Sequence, residues 1–506
     1  MTDDLLAGVE AAAGLAVYGG PATASRRGLV AQGVPGLLAS KDPTLWGPAA
    51  EAGAKETLDL LDQSRRGREL LPLIAELHEE LGDLTNVVLA GPGGTAEVAA
   101  RTLGRPLTVL DDADPQPVRA LIDDPGLLRR TLVVLTDDSL RDVLLQAYLD
   151  LGHTPAEAGR HFVALTGQES AGALGITAVA GDPGALTALA FARVDIAELI
   201  DEAELFAPSL ARDEDNPALA LGVALAGADK VALVPDGSGI EGLGEWAADL
   251  VTGALGLLAI AVECPANAGT APEDVLTITY GGSLPPAAVP GGGVRPDVAV
   301  NGPLGAQFLA WRYAVAIAGR IRGVDPFRIF EPETAEPAPA TPSFVEGAVE
   351  IFTTGDATDL ESALRDFLAD ADDHVAVRAF LDRTADAAVA GVRPLLAAAC
   401  ARPVSFGWGQ YHRGGPRHGS FLQITGLAAG DVPVPGRPYT LGDRQAARAA
   451  GDRRALRRGG RPLLRLHLTD RAEGVRQLLA AAGVLRHRPS PVTLREHKKL
   501  AGWARG

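Results

Sequence analysis

The chain has 506 residues, of which 47% are hydrophobic and 22% charged, and its formal net charge is −18. The length suggests about three domains of roughly 150 residues each, and the negative charge excludes broad binding to a phosphate backbone. Two distant cysteines, Cys264 and Cys400, exclude a disulfide framework and a cysteine-rich zinc site and fit a reducing, cytoplasmic setting.

The N-terminus, Met1-Thr2-Asp3-Asp4, is acidic and lacks the basic start of a signal peptide. Residues 1–80 read mainly as helices. The clearest amphipathic stretches are 49–61 and 68–81, with Leu70, Leu71, Ile74, Leu77 and Leu81 at helical spacing. The pattern then changes. Residues 86–90 form a short apolar run ending in Gly91-Pro92-Gly93-Gly94, followed by a helical stretch. Further short strands are expected at 107–110, 131–135 and 161–165, with a helix at 140–151. Such alternation predicts a parallel sheet covered on both faces, within a first domain at 81–226.

A helix at 217–226 crosses to a second domain at 227–330. Strands are expected there at 230–234, 258–262, 275–279 and 297–300, and helices at 244–252 and 302–322. The apolar stretch 251–262 falls short of the run of about 20 residues that a membrane span requires. A linker rich in Pro, Ala and Glu, 331–343, has a composition that cannot pack a core. The region 344–488 alternates strands (349–352, 374–377, 419–424, 464–468) with helices (360–368, 385–402, 472–482) and reads as a mixed α+β domain. The fold class is therefore α/β, with two three-layer α/β/α domains and a C-terminal α+β domain. In a basic tail, 489–506, and just before it, Arg486, Arg488, Arg495, Lys498, Lys499 and Arg505 cluster, as a solvated helix end or as a docking segment.

Ligands of open α/β sheets sit at the carboxyl ends of strands. Gly91-Pro92-Gly93-Gly94-Thr95 offers backbone N–H groups and a hydroxyl near a helix start, which suits a phosphate. Asp236-Gly237-Ser238-Gly239 offers the same, although Asp236 would repel the anion. Any strand-to-helix turn also favours glycine, so both loops have a purely structural reading. His153, His161, His412, His418, His467, His487 and His497 show no compact ligand spacing, and no metal is expected. His412 and His418 flank a basic turn, Arg413-Gly414-Gly415-Pro416-Arg417, that is an anion site or a plain surface loop. No Gly-X-Ser-X-Gly elbow is present.

Several segments resemble the glucose-6-phosphate isomerase (phosphoglucose isomerase) family, in its actinobacterial form. Asp236-Gly237-Ser238-Gly239-Ile240-Glu241-Gly242-Leu243-Gly244-Glu245-Trp246 is similar to the family's second sugar-isomerase (SIS) domain. Gly302-Pro303-Leu304-Gly305-Ala306-Gln307-Phe308-Leu309-Ala310-Trp311, Gly323-Val324-Asp325-Pro326-Phe327 and residues 195–219 continue the match. Phe406-Gly407-Trp408-Gly409, residues 410–416, Phe421-Leu422-Gln423-Ile424-Thr425-Gly426 and His467-Leu468-Thr469-Asp470 resemble the C-terminal extension seen alone or in transaldolase/isomerase fusions. The resemblance spans nearly the whole chain. It implies two flavodoxin-like SIS domains and the interconversion of glucose 6-phosphate and fructose 6-phosphate, without metal or organic cofactor. In that chemistry a carboxylate moves the proton between C1 and C2, a basic residue stabilises the enediolate, and Ser/Thr loops hold the phosphate.

The family's chemical positions are altered here. Gly91, Gly93, Gly94 and Thr95 match its first loop, Gly-Met-Gly-Gly-Ser-Ser, in shortened form. The main phosphate loop, Ser-Lys-Ser-Gly-Gly-Thr, corresponds to Thr136-Asp137-Asp138-Ser139, where two carboxylates face the expected dianion. Asp182 stands at an arginine position, Gly253 at the catalytic glutamate, and Glu336 near the expected lysine. The Leu-His-Ser-Thr that precedes Gly-Gln-Tyr-His is missing between Trp408 and Gln410. Glu245 and Asp249 are the candidate stand-ins for the base, one to two turns before Gly253 at 1.5 Å per residue.

The expectation is therefore a weakly active or inactive paralogue that retains the fold, with Gly91, Gly93, Gly94, Thr95, Ser139, Gly237, Ser238 and Gly239 as remaining sugar-phosphate contacts. Two alternatives stay open. One is an active isomerase of glycolysis and gluconeogenesis with displaced catalytic groups. The other is a non-catalytic partner of an intact isomerase. A homodimer or hetero-oligomer is expected, with the helix at 302–322 as a candidate contact, and neither nucleic acid nor membrane as a partner.

Overall fold

The computed structural model describes residues 9–19, 24–61, 64–111, 114–135, 140–164, 177–178, 186–264, 268, 274–283, 296–328, 333–337, 340–400, 402–409 and 419–486. Chain entry is a hairpin, β1 (Val9–Ala12) and β2 (Leu15–Gly19). Its two turn residues, Ala13 (φ 49°) and Gly14 (φ 80°), are both left-handed, as a two-residue turn of type I′ demands. These residues had read as part of a helical segment. The helices follow from residue 24 onward, as expected.

The first sheet contains β3 (Asn86–Ala90), β4 (Thr108–Leu110), β5 (Thr131–Leu135), β6 (Phe162–Ala164) and β7 (Thr177–Ala178). All pairs are parallel, in the order β4-β3-β5-β6-β7. That is the 2-1-3-4-5 order of flavodoxin-like folds, and it puts the switch point between β3 and β5. Val87, Val88 and Leu89 are all buried, because helices cover both faces. Asp-Pro and Thr-Pro pairs start the crossover helices. Asp114 and Asp124 accept from Gln116 N and Leu127 N, and Thr154 forms a capping box with Glu157.

The second sheet joins β8 (Lys230–Pro235), β9 (Leu258–Ala261), β10 (Leu276–Gly281) and β11 (Val298–Asn301) to the N-terminal hairpin, in the order β9-β8-β10-β11-β2-β1. β2 pairs antiparallel with β11, Val298 standing opposite Gly19. The helix Leu304–Arg322 lies inside this half of the molecule. Trp311 is fully buried, and its Nε1 donates to Gln307 Oε1 at 3.2 Å. Most of this helix is core, so it does not present the subunit-contact face expected from the sequence. One hydrophobic cluster runs from Leu89 and Val134 of the first sheet to Leu233 and Val300 of the second.

The third sheet contains β12 (Phe344–Glu346), β13 (Val349–Phe352), β14 (Val375–Phe380), β15 (Val404–Trp408), β16 (Ser420–Gly426) and β17 (Leu463–Leu468). Its order is β15-β14-β16-β17-β13-β12. Four strands are parallel, and the hairpin β12–β13 pairs antiparallel with β17. This repeats the second sheet strand for strand: a leading hairpin, then 2-1-3-4. The mixed domain expected from the sequence is thus mixed through its hairpin alone, and its four other strands follow the α/β rule. The linker is strapped down along the helix Leu441–Arg458. Ala335 N donates to Ala447 O at 3.0 Å, and Arg454 donates to Glu333 Oε1 and Thr334 O, each at 2.8 Å.

His374 sits just before β14, buried, its ring packed under Gly419. A Cβ on Gly419 would fall 2.2 Å from His374 Cε1. Burial, reinforced by Arg378, holds the imidazole down to about 4 from its ordinary 6.5. The unfolded chain therefore takes up this proton first, and folded stability falls as pH drops from about 6.5 toward 4. A His374→Gln variant is expected to flatten that part of the melting-temperature profile relative to wild type. An unchanged profile would contradict this assignment.

Candidate functional site

The loop Gly91–Thr95 emerges from β3 at the switch point of the first sheet. Gly91 adopts φ 133° while its N–H donates to Leu110 O at 3.0 Å, and Gly94 adopts φ 48°. The helix Gly94–Thr102 then starts with no side-chain cap. Such a start suits an anion, but its first turn carries Glu97. A guanidinium from the third sheet's loop, Arg383, reaches this place. Arg383 Nη2 lies 3.2 and 3.3 Å from the Glu97 carboxylate oxygens, and Nη1 lies 2.5 Å from Asp111 Oδ2, just after β4. Burial opposes the charge on Arg383, but Asp111 and Glu97, with Asp249 adding, raise its pKa.

The second loop, Asp236–Gly239, follows β8 at the switch point of the second sheet. Asp236 is buried, and its carboxylate consumes the groups an anion would use. Oδ1 accepts from Ser238 N at 2.7 Å and from Ser238 Oγ at 2.6 Å. Oδ2 accepts from Asn301 Nδ2 at 2.6 Å, at the end of β11. Gln307 Nε2 donates to Gly281 O at 2.9 Å and extends the network to Trp311. Ser238 thus bonds an aspartate of its own loop. Gly237 and Gly239 are exposed, in left-handed conformations of φ 84° and 96°.

The helix Leu243–Leu255 carries the candidate bases. It runs antiparallel to Gly94–Thr102. Glu241 exchanges two 3.1 Å hydrogen bonds with Thr102 Oγ1, and Arg101 lies against Gly242. Asp249 feels Arg383 near the other end, beside Glu97. The two glycine loops therefore lie at opposite ends of the helix Gly94–Thr102, roughly 12 Å apart at 1.5 Å per residue. Glu245 and Asp249 are exposed, and Gly253 is buried. By the same rise, Gly253 lies about 6 Å beyond Asp249, toward the first loop. Glu245 lies the same distance the other way, close enough to Tyr280 to raise its pKa behind the larger effect of burial.

The structure thus gathers Gly91–Thr95, Glu97, Asp111, Asp249 and Arg383 into one mouth and holds Ser238 and Glu245 apart from it. Arg383, Glu97 and Asp111 escaped the sequence reading, since Arg383 lies 286 residues from Glu97 and neither belongs to a motif. Glu336 is exposed on the strapped linker. Ser139 with Thr136, Asp182, His412, His418 and the basic tail lie outside the described residues. Among the described residues no cluster of His, Cys, Asp or Glu is placed to hold a metal ion, and no helix is long and apolar enough to cross a membrane.

No known family matches the chain by sequence, and no curated protein does. Several solved structures are similar to part of it. A hypothetical protein of Thermus thermophilus is 17% identical, covers 60% of this chain and 92% of its own, and gives a TM-score of 0.48. A glucose-6-phosphate isomerase of Chlamydia trachomatis is 12% identical, over 63% of this chain and 86% of its own, with a TM-score of 0.46. A protein of Salmonella typhimurium described as sugar-binding is 15% identical over 54% and 99%, with a TM-score of 0.32.

Proposed function

We propose that the chain is a sugar-isomerase-type scaffold that has lost aldose–ketose isomerase chemistry at the mouth of its first sheet. One observation carries this reading: the place where a sugar phosphate would be held presents Glu97, Asp111 and Asp249 around a single guanidinium, Arg383. A phosphate dianion entering there meets a net negative wall. Each charge pair at 4 Å costs on the order of 1 kcal/mol in water and about 4 kcal/mol at an effective dielectric constant of 20. Gly253 at the base position has no side chain to move a proton, and general acid–base chemistry requires a group within hydrogen-bond reach of that proton. The second loop supports the same reading, because Asp236 takes up the Ser238 amide and hydroxyl.

A coupled assay with fructose 6-phosphate tests it. Turnover is expected to stay at the level of a buffer control, in wild type and in Asp249→Asn and Glu245→Gln alike. Turnover in wild type that either substitution abolishes would establish an active isomerase with a displaced base.

A further inference from the structure

The third unit holds a concentration of positive charge at odds with the rest of the molecule. Between residues 444 and 465 stand eight arginines against one acid, Asp452, in a chain of net charge −18. Several of these arginines have protein partners. Arg454 and Arg458 bind Glu333 on the linker, and Arg444, Arg448 and Arg461 also have interactions. Arg453, Arg457 and Arg465 form no ion pair among the described residues.

Arg453 and Arg457 are close enough to Arg465 to act on it electrostatically. β17 alternates, with Leu464, Leu466 and Leu468 in the core and Leu463, Arg465 and His467 on the opposite face. The helix Leu441–Arg458 covers the inner part of that face, where Gln423 Nε2 donates to Ala449 O and to Asp452 Oδ2, each at 3.0 Å. The outer part, over β17 and β13, stays half-open. There Arg465 stands opposite Phe352 in the ladder, and its guanidinium carbon lies 3.6 Å from the centre of the Phe352 ring. Arg453 and Arg457 sit one turn apart on the helix edge, a like-charge spacing that destabilises a bare helix. Burial, then Arg453, hold the Arg465 guanidinium down to about 10, with Glu350 on the neighbouring strand as the acid that opposes them. Burial and Arg457 lower Arg453 likewise.

We propose that the half-buried face of β17 and β13 beside the helix Leu441–Arg458 binds the phosphate group of a small phosphorylated molecule through Arg453, Arg457 and Arg465. An arginine held over an aromatic ring keeps a planar N–H fork, which suits bidentate contact with phosphate oxygens. The dianion adds to Glu350 in offsetting the mutual repulsion of the three guanidinium groups. This site is separate from the mouth of the first sheet and does not depend on the reading given for it.

Calorimetry on the full chain at low salt tests the assignment, with inorganic phosphate, a hexose monophosphate and chloride at matched ionic strength. Phosphate is expected to bind with Kd below about 1 mM and chloride not to bind. Tighter binding of the hexose phosphate would assign a phosphate monoester as the ligand, and equal binding would assign phosphate itself. Arg465→Gln and, separately, Arg453→Gln should each weaken binding at least tenfold, whereas Arg383→Gln should not weaken it. Arg453 lies at the helix edge, so its variant keeps the test valid if Arg465→Gln folds poorly. Absence of phosphate binding, binding retained in the Arg453 variant, or binding lost in Arg383→Gln would overturn the proposal.

Discussion

Replacing Arg471 with alanine is expected to destabilise the packing of the third unit on the first by about 3–5 kcal/mol, the usual cost of breaking a buried ion pair from one side. Arg471 opens the helix Arg471–Arg486, directly after β17, and is buried with both its acidic partners. Nη1 donates to Asp114 Oδ2 at 2.8 Å and to Asp386 Oδ2 at 3.2 Å, and Nε donates to Leu427 O at 2.9 Å. Gln445 Nε2 adds a bond of 2.8 Å to the same Asp114 oxygen. Asp114 belongs to the first unit and caps the helix Pro115–Ile122, so the ion pair ties two units together. Nearby, Val432, Val434 and Leu441 of the third unit complete the apolar layer on one face of the first sheet. Removing the cation leaves two carboxylates in an enclosed place.

The sign of the pH dependence follows. Burial raises both carboxyl pKa values, and Arg471 is the main opposing influence on each. Without it they rise further above their unfolded values, so the variant's folded form is favoured when they are protonated. Its deficit against wild type should therefore be larger at pH 8 than at pH 5. Asp114→Asn in the Arg471→Ala background should recover part of the loss. Urea unfolding followed at both pH values measures this, and an equal deficit at both would contradict it.

Gly281→Ala is expected to cost about 2–4 kcal/mol, combining overpacking with broken buried hydrogen bonds. A Cβ on Gly281 would stand 2.0 Å from Asp236 Oδ1 and 2.2 Å from Ser238 Oγ. Neither atom can yield cheaply. Asp236 is tied to Asn301 and to the Ser238 backbone, and the Gly281 carbonyl is held by Gln307. Gly282→Ala, whose Cβ would meet Ser238 O at 3.1 Å, is the control with the smaller expected loss. Comparable melting temperatures for the two variants would show that the Asp236 network does not hold the second loop.

Apart from β7, the parallel strands of the first two sheets were legible because fully buried strands leave short continuous apolar runs, such as Val87-Val88-Leu89 and Val231-Ala232-Leu233-Val234. The hairpin at 9–19 was not, because its alanine-rich strands read as helix. The signal was the Ala13-Gly14 pair, whose shared positive φ only the fold reveals. Local pattern gave β13, β14, β16 and β17 of the third sheet but neither β12 and β15 nor the strand directions. Parallel pairing of β14 with β16 depends on how the chain crosses over, which short-range periodicity does not encode.

The site shows the same division. The glycine loops at 91–95 and 236–239 stand at strand ends as expected. What occupies them does not follow from local sequence. Asp236 turns inward because Asn301, from a strand 65 residues on, meets it. Arg383 closes on Glu97 because the third unit docks there. Glu245 and Asp249 look interchangeable as stand-ins in sequence, yet the antiparallel crossing of two helices puts only Asp249 near Arg383.

Proton exchange tests the proposed loss of isomerase chemistry most directly, since it reports the step itself whether or not product is released. Glucose 6-phosphate and fructose 6-phosphate would be incubated with the full chain in deuterated buffer, and C2 and C1 followed by NMR. The proposed loss of the base predicts no deuterium incorporation above the buffer rate. Incorporation that depends on the protein and disappears in Asp249→Asn would contradict it.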